Sequence, residues 1–317
     1  MQTQAGDPGA FAHFDLNRVA SPAFVVDEAA IRRNLSVLKG VRDGAEARVL
    51  LALKAFSMWS LADVVGEYLD GVCASGLWEA RLAREFYQGE LTTYSPAYTA
   101  QDLPEILRLS DHVIFNNPAQ IARFAGLIAQ ARAEGEAFEI GLRLNPEHSE
   151  GEVAKYDPAQ PCSRLGFPIS QLKPEHLIGV DGLHIHALCE QDFQPLARIW
   201  AAVEPKLQPL LGEIKWLNLG GGHHITRADY QRDDLVAFVR DLQARHRVQV
   251  YLEPGEAVAL DAGILIGEVL DVFDNGMPVG ITDISATCHM PDVIEAPYRP
   301  ALLKEPEHGV TVRLGGP

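Results

Sequence analysis

Lys54 stands directly behind the apolar run Val49 to Leu53, and no acidic residue lies between Arg48 and Ser60 to pair with it. A lysine at such a place either snorkels to water or is kept for its amine, which condenses with an aldehyde to a Schiff base. A second candidate is "LNLGGGHHITR" (Leu217 to Arg227), where Gly220, Gly221 and Gly222 make a tight turn or surround an anion with backbone N–H groups. "EPGEA" (Glu253 to Ala257), which includes Gly255, closes another apolar run. A lysine and an anion site facing one cavity suit a phosphorylated aldehyde, and pyridoxal phosphate is the cofactor that meets both demands.

"HIHALCEQ" (His184 to Gln191) puts two histidines on one face of a strand. They are a metal pair, or one core histidine and one flat ring, His186, that packs on a planar cofactor. A metal site would want further ligands at neighbouring strand ends, where only Glu253 and Asp283 offer, so the reading assigns no metal. Glu253 is either a rim ion-pair partner or the carboxylate that keeps a pyridine nitrogen protonated. His223 and His224, in the glycine loop, are read as supporting or solvent-facing.

Eight short apolar or β-rich runs carry these residues: Val49 to Lys54, Leu69 to Ser75, Leu91 to Pro96, His112 to Asn117, Phe138 to Pro146, Asp181 to Leu188, Ile214 to Gly222 and Val248 to Gly255. Stretches of helical period separate them. "GLWEARLAREF" (Gly76 to Phe86) is one; another starts at Asn117 as N-cap with Pro118 behind it, and a third starts at Thr226. Eight strands alternating with helices predict a TIM (β/α)8 barrel, whose active site lies at the carboxyl ends of its strands and whose phosphate loops follow the last two. The segment from Glu147 to Pro168 is long for a barrel loop and is read as functional or mobile. From about Leu260 the pattern turns to strands and turns alone. The expected division is an N-terminal segment 1–20, a barrel 21–259 and a C-terminal β-rich domain 260–317, with the first dozen residues loosely held.

The chain has 317 residues and a net charge of −16, which argues against nucleic acid or an anionic membrane as the main partner, since both need a basic face. Four cysteines, irregularly spaced and without a C-x-x-C, point to a reducing cytoplasm rather than a disulfide framework. The N-terminus lacks the layout of a signal peptide, and no apolar run is long enough for a transmembrane helix.

"LALKAF", "GLHIHALCEQ", "LNLGGGHHIT", "EPGEAV" and "SATCHMPDV" together resemble the fold-type III pyridoxal-phosphate decarboxylases, related to alanine racemase and to ornithine and diaminopimelate decarboxylases. Within it the match is nearest the carboxynorspermidine (carboxyspermidine) decarboxylase branch, over about Ser21 to Pro300. The resemblance implies a barrel, a C-terminal β domain and a homodimer with active sites at the interface. It makes Lys54 the cofactor lysine, His186 the ring-stacking histidine, Gly220 to Gly222 and Gly255 parts of the phosphate site, and Glu253 the carboxylate on the pyridinium. Arg143 in "GLRLN" takes a supporting place behind His186. The implied reaction is decarboxylation of carboxynorspermidine or carboxyspermidine to norspermidine or spermidine, with diaminopimelate or ornithine decarboxylation as the nearest alternative. A non-catalytic cofactor-binding barrel and a zinc hydrolase using His184 and His186 are the rivals from other classes.

Many relatives carry "EPGR", where this sequence has Glu256. An acid there suits a substrate with several ammonium groups. Asp292 of "CHMPD" is the second acid assigned to the distal amines, or else a loop cap beside Pro291. The resemblance also implies a further C-terminal segment with a cysteine near the reaction centre, so a sequence ending at Pro317 is read as a fragment.

Overall fold

The computed structural model describes residues 9–151, 153–303 and 308–317, in two units. The larger unit, residues 32–260, is a closed barrel. Numbering strands along the whole chain, its staves are β2 (Arg48–Ala52), β3 (Gly71–Ala74), β4 (Glu90–Tyr94), β5 (His112–Phe115), β6 (Glu139–Asn145), β8 (Gly182–His184), β9 (Trp216–Asn218) and β10 (Gln249–Leu252). All neighbours are parallel, and β10 returns to β2 through Tyr251↔Arg48 and Leu252↔Val49. Each of the eight apolar runs supplies one stave, because residues covered on both faces keep no polar alternation. Val49, Leu50 and Leu51 are at most 1 % exposed.

One large side chain fills the barrel at the amino-terminal ends of its strands. Trp216 stacks on His112 at 4.7 Å between ring centres and lies 6.0 Å from Tyr251, with Leu50 and Ile114 in the same cluster. Its Nε1–H donates to Glu139 Oε2 at 2.7 Å. The indole fits because two neighbouring staves carry no side chain there. A Cβ on Gly141 would come within 2.6 Å of the ring, and one on Gly182 within 2.0 Å. Gly182→Ala is therefore expected to destabilise the protein by about 3 kcal/mol through overpacking. Gly126→Ala, at an open helical site, should change stability by less than about 1 kcal/mol. Urea unfolding compares the two, and equal midpoints would remove the indole from its place as barrel plug.

Helices cover the outside of the barrel. Leu77–Phe86 runs as expected from Gly76. The next begins with Asn117 as N-cap, its side chain accepting from Gln120 N, but it breaks at Phe124 into Pro118–Arg123 and Ala125–Ala133. The helix expected from Thr226 starts instead at Arg232. Thr226 is not a cap, since its hydroxyl donates to Ala257 O at 2.7 Å and fastens one barrel loop to the next. The long segment after β6 returns to it through β7 (Phe167–Pro168) and buries Asp157, whose Oδ1 accepts from Ala159 N at 2.8 Å.

The smaller unit joins residues up to 31 with those from 261 onward. Here β1 (Ala23–Val26) pairs antiparallel with β11 (Gly263–Ile266), from Ala23↔Ile266 to Val26↔Gly263. A second sheet holds β12 (Val269–Asp274), β13 (Pro278–Thr282) and β14 (Arg313–Gly315). Two short helices follow β13: Ala286–His289, capped by the Ser285 hydroxyl, and Asp292–Glu295. Of the segment expected to be loose, residues 1–8 lie outside the described residues, while Gly9–His13 forms a 3-10 turn with Phe11 buried.

Candidate active site

At the carboxyl ends of the barrel strands, a chain of main-chain bonds ties together the loops singled out by sequence. Ala52 N donates to Pro254 O at 2.9 Å, so the turn bearing Lys54 hangs on the Glu253–Glu256 loop. Glu253 N donates to Gly220 O at 2.7 Å, and Gln191 N to Gly222 O at 3.0 Å. Lys54, Gly255, Glu253, the three glycines and the turn after His186 thus share one rim.

Lys54 sits just past the end of β2, in a turn closed by Ala55 N and Phe56 N on Ala52 O. It is exposed rather than sheltered by apolar surface, and the strand stops two residues short of it. Gly255 packs against this turn, where a Cβ would meet Ala55 Cβ at 2.5 Å. β8 likewise ends at His184, so His186 lies beyond the strand, although Ile185 N still donates to Asn218 O.

Glu253 is the buried centre of the group, 6 % exposed. Its Oε1 accepts from Asn218 Nδ2 at 2.7 Å, and Oε2 lies 3.2 Å from His184 Nε2 and 3.9 Å from His186 Nδ1. Burial is the largest single influence and works against its charge, but the His184 and His186 imidazoles together reverse it and hold the carboxyl well below the usual carboxylate range. His186 is pushed down to about 3, first by burial and then by the Lys54 ammonium, and so presents a neutral ring. Arg143, 5 % exposed, donates from Nη2 to His186 O at 2.8 Å and packs its guanidinium over the Tyr94 ring, 4.5 Å from the centroid. It fixes the main chain at His186 rather than the imidazole.

The glycines are needed for close approach. Gly220 and Gly222 have φ of 70° and 84°, and a Cβ on Gly221 would lie 2.0 Å from Glu253 O. Two of their N–H groups are already engaged, Gly220 with Asn218 Oδ1 at 2.8 Å and Gly221 with His186 Nδ1 at 3.2 Å. The loop therefore orients His186.

Among the described residues, the ligand atoms of His184, His186 and Glu253 lie within 4.8 Å of one another, a set that could hold a metal ion. Lys54 and Arg143 both act on the two histidines against further positive charge there. Buried polar atoms without a partner, His184 Nδ1 and Arg143 Nε among them, mark the place as built for a polar guest.

Asn218 and His184 are the residues that sequence reading undervalued. Asn218 stands two positions before Gly220 in "LNLGGG", on the same strand face, and that alternation was the available signal. Glu256 begins the short helix after β10, with Oε2 3.3 Å from His224 Nε2. Asp292 belongs to the other unit, where Tyr298 Oη donates to its Oδ2 at 2.5 Å.

No family model matches the chain. It is 38% identical over 286 residues to the carboxynorspermidine/carboxyspermidine decarboxylase of Campylobacter jejuni subsp. jejuni, covering 90% of this chain and 73% of that one. Carboxyaminopropylagmatine decarboxylase of Synechocystis sp. is 36% identical over 306 residues, 95% of this chain and 78% of the relative. The crystal structure of carboxynorspermidine decarboxylase from Campylobacter jejuni, complexed with norspermidine, superposes with a TM-score of 0.79 at 35% identity, covering 94% of this chain and 80% of that one. With a barrel of the same kind, and a buried carboxylate and imidazole at its rim, the chain is a decarboxylase that belongs to the carboxynorspermidine/carboxyspermidine decarboxylase family.

Proposed function

We propose that the protein removes the carboxyl group of carboxynorspermidine, carboxyspermidine or both, with pyridoxal phosphate as cofactor, to give norspermidine or spermidine. The observation that carries the reading is the buried, ionised Glu253 beside the neutral His186 on the rim that bears Lys54. A carboxylate held that far below its usual range keeps a proton on a ring nitrogen placed against it. The residues present fit the cofactor: Glu253 for the pyridine nitrogen, His186 for a ring face, Lys54 for the aldehyde carbon, and Gly220 to Gly222 with Gly255 for the phosphate. Arg143 keeps the His186 main chain in register.

When bound, pyridoxal phosphate supplies the electron sink for the pair left behind as carbon dioxide departs. Lys54 would hold the aldehyde carbon of the bound cofactor. Glu253 would keep a proton on its ring nitrogen, and His186 would lie against its ring. Glu256 would draw the cationic chain of the substrate away from the reacting carbon. The structure of the norspermidine-bound relative supports the polyamine class. A cytoplasmic setting and a homodimer complete the reading, while the expected division is corrected at its start: residues up to 31 join the β-rich unit through β1 and the barrel unit runs 32–260. Among the described residues no helix is long and apolar enough to cross a membrane, and β12 exposes Leu270, Val272 and Phe273, apolar surface of the kind a partner copy covers.

The test is carbon dioxide release from the cofactor-loaded protein with carboxynorspermidine, carboxyspermidine, carboxyaminopropylagmatine, diaminopimelate and ornithine. Turnover of the first two is expected to exceed that of the amino acids by at least about 10²-fold, the loss that follows when a charged contact has no partner. Preference for carboxyaminopropylagmatine would move the assignment to the activity of the Synechocystis relative. Turnover of diaminopimelate or ornithine alone would end the polyamine reading.

A further inference from the structure

We propose that His224 sets the negative charge offered to the distal ammonium groups of the substrate: its imidazole occupies the Glu256 carboxylate beside the Glu190 turn, and an incoming ammonium takes its place. The inference rests on the polyamine reading above.

Four observations place these residues together. His224 Nε2 lies 3.3 Å from Glu256 Oε2, with the histidine side chain 13% exposed and the glutamate half exposed at 51%. The other ring nitrogen, Nδ1, faces Arg227 Nη1 at 3.5 Å, and Arg227 is itself held by Asp192 and Asp229 at 2.6 Å each. Since guanidinium only donates, Nδ1 must accept, and the neutral ring carries its proton on Nε2, toward Glu256. Finally, the turn bearing Glu190 is fastened to the glycine loop by Gln191 N on Gly222 O and His224 N on Gln191 O, both at 3.0 Å, with Glu190 in the left-handed region at φ 55°.

The surroundings give the sign. Glu256 first, then Glu190, favour the protonated ring, while burial and Arg227 oppose it; the balance lies above the ordinary histidine value. His223 is the remaining neighbour that feels His224, and burial keeps it neutral with its own value down to about 4. Asp229 is committed to Arg227. Glu190, Glu256 and Lys54 all bear on the Cys189 thiol, so the acids share the neighbourhood of the reaction lysine. With His224 protonated, the Glu256 charge is cancelled; with it neutral, that charge is offered to the substrate. By linkage, a bound ammonium makes protonation of His224 harder, and losing that proton tightens ammonium binding.

Calorimetry of norspermidine binding to the cofactor-loaded enzyme between pH 5.5 and 8 tests this, with His224→Gln alongside to subtract the titration of the amines themselves. In the native enzyme Kd, and with it KM, is expected to fall about five- to tenfold relative to the variant as pH rises through the His224 transition. Saturating norspermidine should lower the His224 titration midpoint read by NMR, a readout independent of turnover and of the variant's folding. Glu190→Gln should weaken binding and lower the same midpoint. Parallel Kd–pH curves for the native protein and His224→Gln, or a midpoint unmoved by norspermidine, would overturn the role of His224 while leaving the substrate reading intact. Absence of norspermidine binding at every pH, together with no turnover of carboxynorspermidine, would overturn both.

Discussion

Lys54→Ala is expected to leave a folded protein that gains no visible band with pyridoxal phosphate and whose kcat/KM is lower by about 10³-fold or more. Stability should hold because Lys54 is exposed and its turn is closed by main-chain bonds to Ala52 O, none of which needs the ammonium; a surface change of this kind moves stability by less than about 0.5 kcal/mol. Function should collapse because the rim presents its carboxylate and imidazole to whatever the lysine amine holds. Absorbance, borohydride trapping with peptide mass mapping, and a thermal melt separate the outcomes. A variant that colours and turns over like the native protein would take Lys54 out of the chemistry altogether.

Glu253→Gln probes the opposite end of the site. Glutamine keeps the shape, and its carbonyl oxygen can still accept from Asn218 Nδ2, so the buried bond at 2.7 Å survives. What it loses is the negative charge that, on the proposed reading, keeps a ring nitrogen protonated. kcat should fall by about 10²- to 10³-fold, as when a charge-stabilising group is removed, with KM little changed. Alanine would be a poorer probe, since it would strand Asn218 and His184 without their partner in a buried place. A change in kcat below about threefold would show that the carboxylate serves only the packing of His184.

The barrel and its rim were legible in the sequence for one reason. Each stave is an apolar run without alternation, and the first polar or glycine residue after it marks the catalytic end, which is how Lys54, His186, Gly220 to Gly222 and Glu253 could be found together. Contacts across the barrel left no such mark. Nothing in "IKWLNL" says that Trp216 points inward, or that Gly141 and Gly182, remote in sequence, make room for it. Thr226 looked like a cap because its hydroxyl can serve either purpose, and only the fold brings Ala257 O within its reach. The link between Glu190 and His224 was hidden for the same reason, since it depends on how two loops are pinned rather than on any spacing along the chain.

The Trp216 plug makes the barrel a well with a floor. With indole, imidazole and phenol rings filling the amino-terminal end, carbon dioxide has no rear exit and leaves through the mouth by which the substrate entered. A long amine lying across that mouth is then a stopper as well as a reactant. On the proposed reading, gas escape and chain release would be consecutive events, and the time the product rests at the mouth would set how soon the well can be refilled.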